Sequence, residues 1–384
     1  MASRKILMFC PQFRPLVGGA ERQAEKLAFA LATTGRRVHI LTPRIDSDSP
    51  SYEEINGVVI ERFPLLDLAK RWPMPGIALL NIPCILWQVM RAVRPHLVHA
   101  DVLHTHIASL QTLGAVLAAH LSGVPAVCKA ATADQRSDLG RLEKQGPSGK
   151  LISRMFRRTP ICWVATTEAV THALVSAGVR PNRIVQIPNG VEINGMSSIR
   201  TRPVRRFLYL GRLSSGIRRD VPTLIAAFVQ LSQLWPDVEL ALVGGGDLLS
   251  ETRALAERYM AAHRIYTPGF DRPEKWLEWA DCFVLPSRVE GLSNALLEAM
   301  ATGLPCIAND IPPNREVLAD GTVGGLVPVG DESRLFHEMN RMVNDDAHAV
   351  SMGNAARKRV EEYYEINAVA ARYLRLYDKL INKK

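Results

Sequence analysis

Twice along this chain, short apolar runs alternate with segments of helical periodicity, and no other feature limits the fold as strongly. The first series opens with RKILMFC, passes through the helix-patterned AERQAEKLAFALATTG to Gly35, and returns to an apolar run at RVHILT. LVHADVL, PAVCKA and CWVATT repeat the strand signal, each followed by a helix-like stretch. After residue 200 the pattern restarts with RRFLYLGRL, PTLIAAFVQLSQLW, ELALVGGG, a helical stretch near 249–262, CFVLPS, ALLEAMATG and PCIAND. Strands that alternate with helices indicate parallel βαβ units. Between the series lies NGMSSIRTRPVRR, polar and basic, with Gly195 and Pro203, which reads as a linker. The expected architecture is α/β: two doubly wound domains, 1–195 and 203–360, facing each other across a ligand cleft.

Composition supports folded domains. The 384 residues are 47% hydrophobic and 22% charged, which excludes disorder as the main state and leaves room for two or three cores. No apolar run reaches the roughly 18 residues of a spanning helix; the nearest, GIALLNIPCILWQVM, carries Asn81, Pro83 and Gln88. The start, MASRKILMFC, has only a five-residue apolar run before Pro11, so it reads as a buried strand rather than a signal peptide. Cys10, Cys84, Cys128, Cys162, Cys282 and Cys306 form no C-x-x-C pair and sit mostly in apolar segments, as expected of reduced core thiols in a cytosolic protein. The net charge of +9 is uneven: residues 1–200 hold 24 Lys and Arg against 14 Asp and Glu, residues 201–384 hold 23 against 24. A basic first half admits nucleic acid, an anionic membrane or an acidic substrate as partner.

Open α/β sheets bind ligands at the loops beyond the carboxyl ends of their strands. In the first such loop, PQFRPLVGGAE, Gly18 and Gly19 either open backbone amides to a phosphate at a helix N-terminus or form a tight turn. The spacing is not that of a G-x-G-x-x-G dinucleotide site. Gly244 to Gly246 after ELALV leave the same two readings open. Arg212, with Arg218 and Arg219 a few residues on, suits a diphosphate if aimed into a cleft, and solvated surface if not. In SRVEGLSNALLEAMATG a strand runs into a loop with Glu290, and a helix beginning near Ser293 or Asn294 carries Glu298. The helix start offers amides to an anion, and the two carboxylates can accept hydroxyl hydrogen bonds on either side of it. A polyhydroxylated ligand with phosphate in the middle matches that arrangement.

These residues resemble the Glu, seven residues, Glu signature of retaining family 4 glycosyltransferases of the GT-B fold. GGAE, IPNGVE at 187–192, GRL at 211–213, the strand-GGGD, PGF at 268–270 and EGLSNALLEAMA stand in the family's order over nearly the whole chain. The resemblance implies that Gly18 and Gly19 contact the donor diphosphate, that Arg212 binds phosphate, and that Arg218 or Arg219 replaces the family's lysine. It further implies that Glu290 bonds the donor-sugar hydroxyls and Glu298 the ribose. Gly291, Leu292, Ser293 and Asn294 would offer amides to sugar and distal phosphate, with Gly269 and Phe270 beside the base. It places the segment 361–384 as a helix crossing back to the first domain. A leaving nucleotide stabilised by arginines and a helix N-terminus requires no metal, and the family is thought to retain configuration by front-face attack. No cofactor is expected.

The chain departs from the family in two places. VCKAATAD carries Lys129 where many relatives have histidine, so Lys129 is either its substitute or plain structure. Pro312 and Pro313 replace a glycine pair before Asn314, Arg315 and Glu316, which implies a stiffer loop. Other metal candidates are poor. Asp46, Ser47 and Asp48 spell D-x-D inside a polar stretch that reads as solvated loop, and His104 and His106 lack a third ligand and are expected to line the cleft near the acceptor.

Ile82, Ile85, Leu86, Val89, Met90 and Val93 follow a helical period and read as core, with Trp87, Arg91 and Arg94 on the opposite side. KLISRMFRR, residues 150–158, is a basic amphipathic pattern that either lies on an anionic membrane or packs on its own domain. The resulting expectation is a glycosyltransferase, cytoplasmic or peripheral on the inner membrane face. It would take a nucleotide-sugar donor and a glycan or lipid-linked acceptor, and would not bind nucleic acid. A GT-B sugar-nucleotide epimerase and a non-catalytic nucleotide-sugar-binding protein are the rival readings.

Overall fold

The structure is a computed structural model. It describes all residues except 1–3, 16, 17, 47, 73–75, 133–136, 194–202, 214–219, 259–263 and 384, together with the side chains of 78 and 79. Arg218, Arg219, Ser47 and most of the expected linker therefore lie outside the described residues. The chain forms two units, Met1–Gly190 with Ile366–Lys384, and Val191–Glu365.

The first unit is built on an eight-stranded sheet: β1 (Lys5–Phe9), β2 (Arg37–Pro43), β3 (Tyr52–Ile55), β4 (Val58–Phe63), β5 (Val102–His106), β6 (Ala126–Ala130), β7 (Ile161–Ala165) and β8 (Ile184–Gln186), in the order β3-β4-β2-β1-β5-β6-β7-β8. Side chains alternate between its faces. Ile6 and Met8 pack with the helices Gly19–Thr33 and Ile366–Ile381 through Leu27, Leu31, Val369 and Tyr373. Leu7 and Phe9 point the other way, onto Ile85, Val89 and Val93 of the helix Ile77–Leu97. That helix runs on to a buried Leu97, so β5 begins at Val102, later than LVHADVL implied.

Only β3 is antiparallel, and it meets β4 through Asn56 and Gly57, both at positive φ (51° and 75°). Asn-Gly fits such a turn because its backbone twist matches that of the flanking strands. Gly190 closes the unit: Gln23, itself buried, donates from Nε2 to Gly190 O (2.8 Å) and accepts from Gly190 N at Oε1 (3.1 Å). A Cβ on Gly190 would lie 2.9 Å from Ile366 Cα.

The second unit has six parallel strands: β9 (Arg206–Leu210), β10 (Glu239–Val243), β11 (Ile265–Gly269), β12 (Cys282–Leu285), β13 (Cys306–Asn309) and β14 (Gly325–Val327), in the order β11-β10-β9-β12-β13-β14. Phe207 and Tyr209 pack with Leu224 and Phe228 on one face, Leu208 and Leu210 with Leu296 and Leu297 on the other. Buried Asp281 accepts from the amides of Arg205 (3.0 Å) and Arg206 (2.9 Å), fixing where β9 starts beside β12. The winding reverses between β1 and β5 in one sheet and between β9 and β12 in the other, so each unit has a topological switch point there. All six cysteines are free thiols, and Cys10, Cys128, Cys282 and Cys306 are buried. No helix among the described residues is long and apolar enough to cross a membrane.

Candidate functional site

In the second unit the loops after β9, β10, β11 and β12 emerge at one edge, because the strands are parallel. Arg212 lies two residues beyond β9 and is exposed, while its carbonyl accepts from Tyr209 Oη at 3.3 Å. Backbone bonds join its loop to the glycine triplet: Gly211 N donates to Val243 O (3.0 Å) and Leu213 N to Gly245 O (3.0 Å). Gly244 is obligatory. Its φ is 151°, and a Cβ there would sit 1.8 Å from Gly211 O. Gly244 N in turn donates to Gly269 O at 2.8 Å, and Gly269 (φ 84°) turns the chain so that Phe270 stands 69% exposed. An exposed aromatic ring next to a glycine-lined loop is a flat surface on which a base can stack.

The β12 loop is held more firmly. Ser287 Oγ, fully buried, donates to Glu290 Oε1 at 3.0 Å. Gly291, Leu292 and Ser293 are buried, and Ser293 caps the helix Asn294–Ala301 by accepting from Leu296 N at 3.3 Å. Glu298 follows one turn into that helix and is half-buried. Behind the loop, Arg288 donates to Asp220 Oδ2 (2.8 Å), Asp220 N donates to Pro286 O (2.6 Å) and Thr223 Oγ1 donates to Asp220 Oδ1 (2.8 Å). Asp220 is 6% exposed, and these bonds hold it in place behind the β12 loop. Sequence reasoning missed Asp220, Ser287 and Arg288. The signal for Ser287 was its place three residues before Glu290; Asp220 and Arg288 are 68 residues apart and gave none.

The structure thus brings Arg212, Gly244–Gly246, Gly269, Phe270, Glu290–Asn294 and Glu298 to one edge of one sheet. In the first unit Gly18 is the N-cap of Gly19–Thr33 in extended conformation, without a side-chain cap, at the β1/β5 switch point. Glu21 stands in the first turn and would meet a Cβ on Gly18. Pro312 and Pro313 occupy the first turn of the helix Pro312–Val317, where their missing N–H groups are no loss.

One expectation needs correction. His104 and His106 do not line a cleft: they are 0% and 3% exposed, stacked at 4.6 Å between ring centroids. His104 Nδ1 is 2.6 Å from Tyr377 Oη, and the ring stacks on Tyr373, both from the Ile366–Ile381 helix. Residues 104 and 106 share a face of β5, and the terminal helix covers that face. Burial lowers the proton affinity of both, His104 to about 3. Lys129 belongs to the same interior layer, buried, with Nζ 6.0 Å from the Tyr373 ring centroid, and its pKa is lowered by burial to about 7.

Of the two readings of 150–158, packing on its own domain agrees with the structure: Ile152 and Phe156 are buried in the first unit's core, and Arg157 donates to Glu143 (2.7 Å) and Ala177 O (2.8 Å). Asp46 accepts from Asp48 N, Ser49 N and Ser49 Oγ, so the acidic pair near residue 47 shapes its own loop.

Residues 17–194 match the family model described as Glycosyltransferase Family 4, and residues 201–359 that of Glycosyl transferases group 1. Over 97% of its length the chain is 28% identical to the phosphatidyl-myo-inositol mannosyltransferase of Mycobacterium tuberculosis, 96% of which is covered. Among solved structures, sucrose-phosphate synthase from Thermosynechococcus elongatus superposes with a TM-score of 0.77 at 21% identity, covering 99% of this chain and 100% of that one. HepE from Anabaena, in complex with UDP and glucose, gives 0.74 at 18% identity over 98% and 100%.

Proposed function

Because the chain belongs to the group 1, family 4 glycosyltransferases and has their GT-B fold, we propose that it moves a sugar from a nucleoside-diphosphate sugar to an acceptor hydroxyl, with retention of configuration and without a catalytic metal. The observation that carries this reading is the β12 loop, where Ser287 holds Glu290 at the mouth of a helix N-terminus beside the β9 switch point. A diphosphate leaving group gains negative charge as the glycosidic bond breaks. The Arg212 guanidinium, Arg218 or Arg219, and the amides of Gly291 to Asn294 supply fixed positive charge for it, which serves in place of a metal ion. Glu290 orients the donor sugar, Glu298 the ribose, and Phe270 with Gly269 flanks the base. Gly18 and Gly19 offer amides to the distal phosphate. Front-face attack follows if the leaving phosphate takes the acceptor's proton.

The acceptor reading is lipid-linked, in keeping with the phosphatidyl-inositol named for the mycobacterial relative. The helix Ile77–Leu97 supports it: Leu80, Pro83, Trp87, Arg91 and Arg94 form one exposed stripe, with Leu80 65% and Trp87 60% exposed. The Arg91 guanidinium lies 5.4 Å from the Trp87 ring centroid. An aromatic side chain among arginines is suited to the headgroup boundary of an anionic leaflet. The basic first half of the chain adds attraction.

A thermal-shift screen against UDP, GDP, ADP and their sugars, with and without EDTA, tests the donor reading. One nucleotide should raise Tm, the rise should survive EDTA, and Arg212→Ala should remove it. No shift with any nucleotide would overturn the donor site; a shift abolished by EDTA would overturn metal independence. Proton NMR of the first-formed product decides between retention and inversion.

A further inference from the structure

Three side chains with ligand chemistry, none of them assigned a role above, meet in the first unit. β2 and β4 run parallel with His39 opposite Val59 and Leu41 opposite Glu61, so His39 and Glu61 project from the same face, two positions apart. The helix Ile77–Leu97 packs on that face through Val89, Val93 and Leu97, and its last turn brings His96 over the pair. His39 Nε2 is 3.2 Å from one Glu61 oxygen and His96 Nε2 is 3.6 Å from the other. The two imidazoles meet edge-on, 4.7 Å between centroids at 81°. One ligand atom from each of the three residues lies within 4.8 Å of the other two.

We propose that His39, Glu61 and His96 form a binding site for one divalent transition-metal ion of the zinc class, which staples the Ile77–Leu97 helix to β2 and β4. Ligand atoms at about 2.0–2.1 Å around a tetrahedral ion stand about 3.4 Å apart, and small side-chain rotations bring one atom of each residue, already within 4.8 Å of the other two, to that spacing. Two neutral imidazoles and one carboxylate give a singly negative donor set that suits Zn²⁺, Co²⁺ or Ni²⁺ rather than Ca²⁺ or Mg²⁺, with a fourth position open to water. The three side chains are 24%, 37% and 21% exposed, so the ion has an entry path while most of its shell is protein.

Burial, then His96, then Lys5 hold His39 below the ordinary histidine pKa against the pull of Glu61. His39 is the third residue of β2, and the helix ends there, so the site lies away from the strands' carboxyl ends and its role is to hold the helix rather than to act on sugar.

The test uses untagged full-length protein stripped with chelator, with Co²⁺ and Zn²⁺ alone as probes. One equivalent of Co²⁺ should give visible d–d bands, and Zn²⁺ should raise Tm by about 4 °C or more at saturating excess. His96→Gln and Glu61→Gln should abolish both responses, whereas His172→Gln, at an exposed histidine elsewhere, should leave them intact. Absence of the bands, or bands that persist in His96→Gln, would overturn the site. If the variants fail to fold, hydrogen exchange of the native chain decides: Zn²⁺ should protect the segments around 37–41, 59–63 and 93–97, and protection elsewhere instead would count as refutation. Glycosyl transfer is expected to be unchanged by Zn²⁺ or by EDTA, so the two readings stand or fall separately.

Discussion

Ser287 Oγ donates a 3.0 Å hydrogen bond to Glu290 Oε1 from a position with no solvent exposure. The bond orients the carboxylate before any ligand arrives. Glu290→Gln should lower kcat/KM by about 10²–10³, the scale of removing one preorganised polar group from a transition state. Ser287→Ala should cost about 1 kcal/mol, or five- to tenfold. Steady-state kinetics with the identified donor check both, and an unaffected Glu290→Gln enzyme would exclude the role assigned to it.

The Arg288–Asp220 pair ties the β12 loop to the start of the helix Val221–Leu234. Asp220→Asn weakens this tie without leaving a hole. The expected result is a several-fold rise in donor KM with a Tm within a few degrees of the parent, read by kinetics and calorimetry together. A fall in Tm with unchanged KM would make Asp220 structural alone.

Gly190 exchanges two hydrogen bonds with buried Gln23 and abuts Ile366. Gln23→Ala leaves a buried N–H and C=O unpaired, a loss of about 2–4 kcal/mol. Gly190→Ala drives a methyl into backbone and should destabilise at least as much. Denaturant titration of either variant checks this; a change under about 0.5 kcal/mol would contradict the packing described.

Lys129 has its pKa lowered by burial to about 7, against 10.5 for the free side chain. The unfolded chain therefore binds more protons than the folded one between those values, and this lysine's contribution to stability improves as pH rises from about 7 to 10.5. Lys129→Met should stabilise the protein by about 2–4 kcal/mol at pH 7 and by less at pH 10. His104, lowered to about 3, adds a loss of stability as pH falls from 6.5 toward 3. Tm measured across pH for parent and variant tests both; a gap between them that widens above pH 8 would contradict the sign.

Trp87 is 60% exposed with the Arg91 guanidinium 5.4 Å from its ring centroid. Replacing both, Trp87→Ser with Arg91→Glu, should reduce sedimentation with anionic liposomes at least tenfold while Tm stays near the parent value. Equal binding by the variant would remove this stripe from the membrane reading.

The sequence by itself determined the α/β alternation, the restart after residue 200, and the loops that carry Gly18, Arg212, Gly269 and Glu290. Each of these is a local pattern: an apolar run, a turn residue, a helix start. Even so, the Asn56–Gly57 hairpin was overlooked although its turn signal is local, and the β5 boundary was misplaced because an apolar stripe at a helix end reads like the strand that follows it. Tertiary structure decided what local pattern cannot express. His104 and His106 read as cleft-lining residues until a helix more than 260 residues later covers them with Tyr373 and Tyr377. For Phe156 and Ile152 the local pattern leaves a membrane face and a packed face equally open, and the first unit's core decides it. The pairs Asp220–Arg288 and Gln23–Gly190, and the cluster His39, Glu61 and His96, exist only through strand order and helix packing. Burial and proximity are properties of the folded arrangement, and residues far apart in the chain carry no local mark of which neighbours that arrangement will give them.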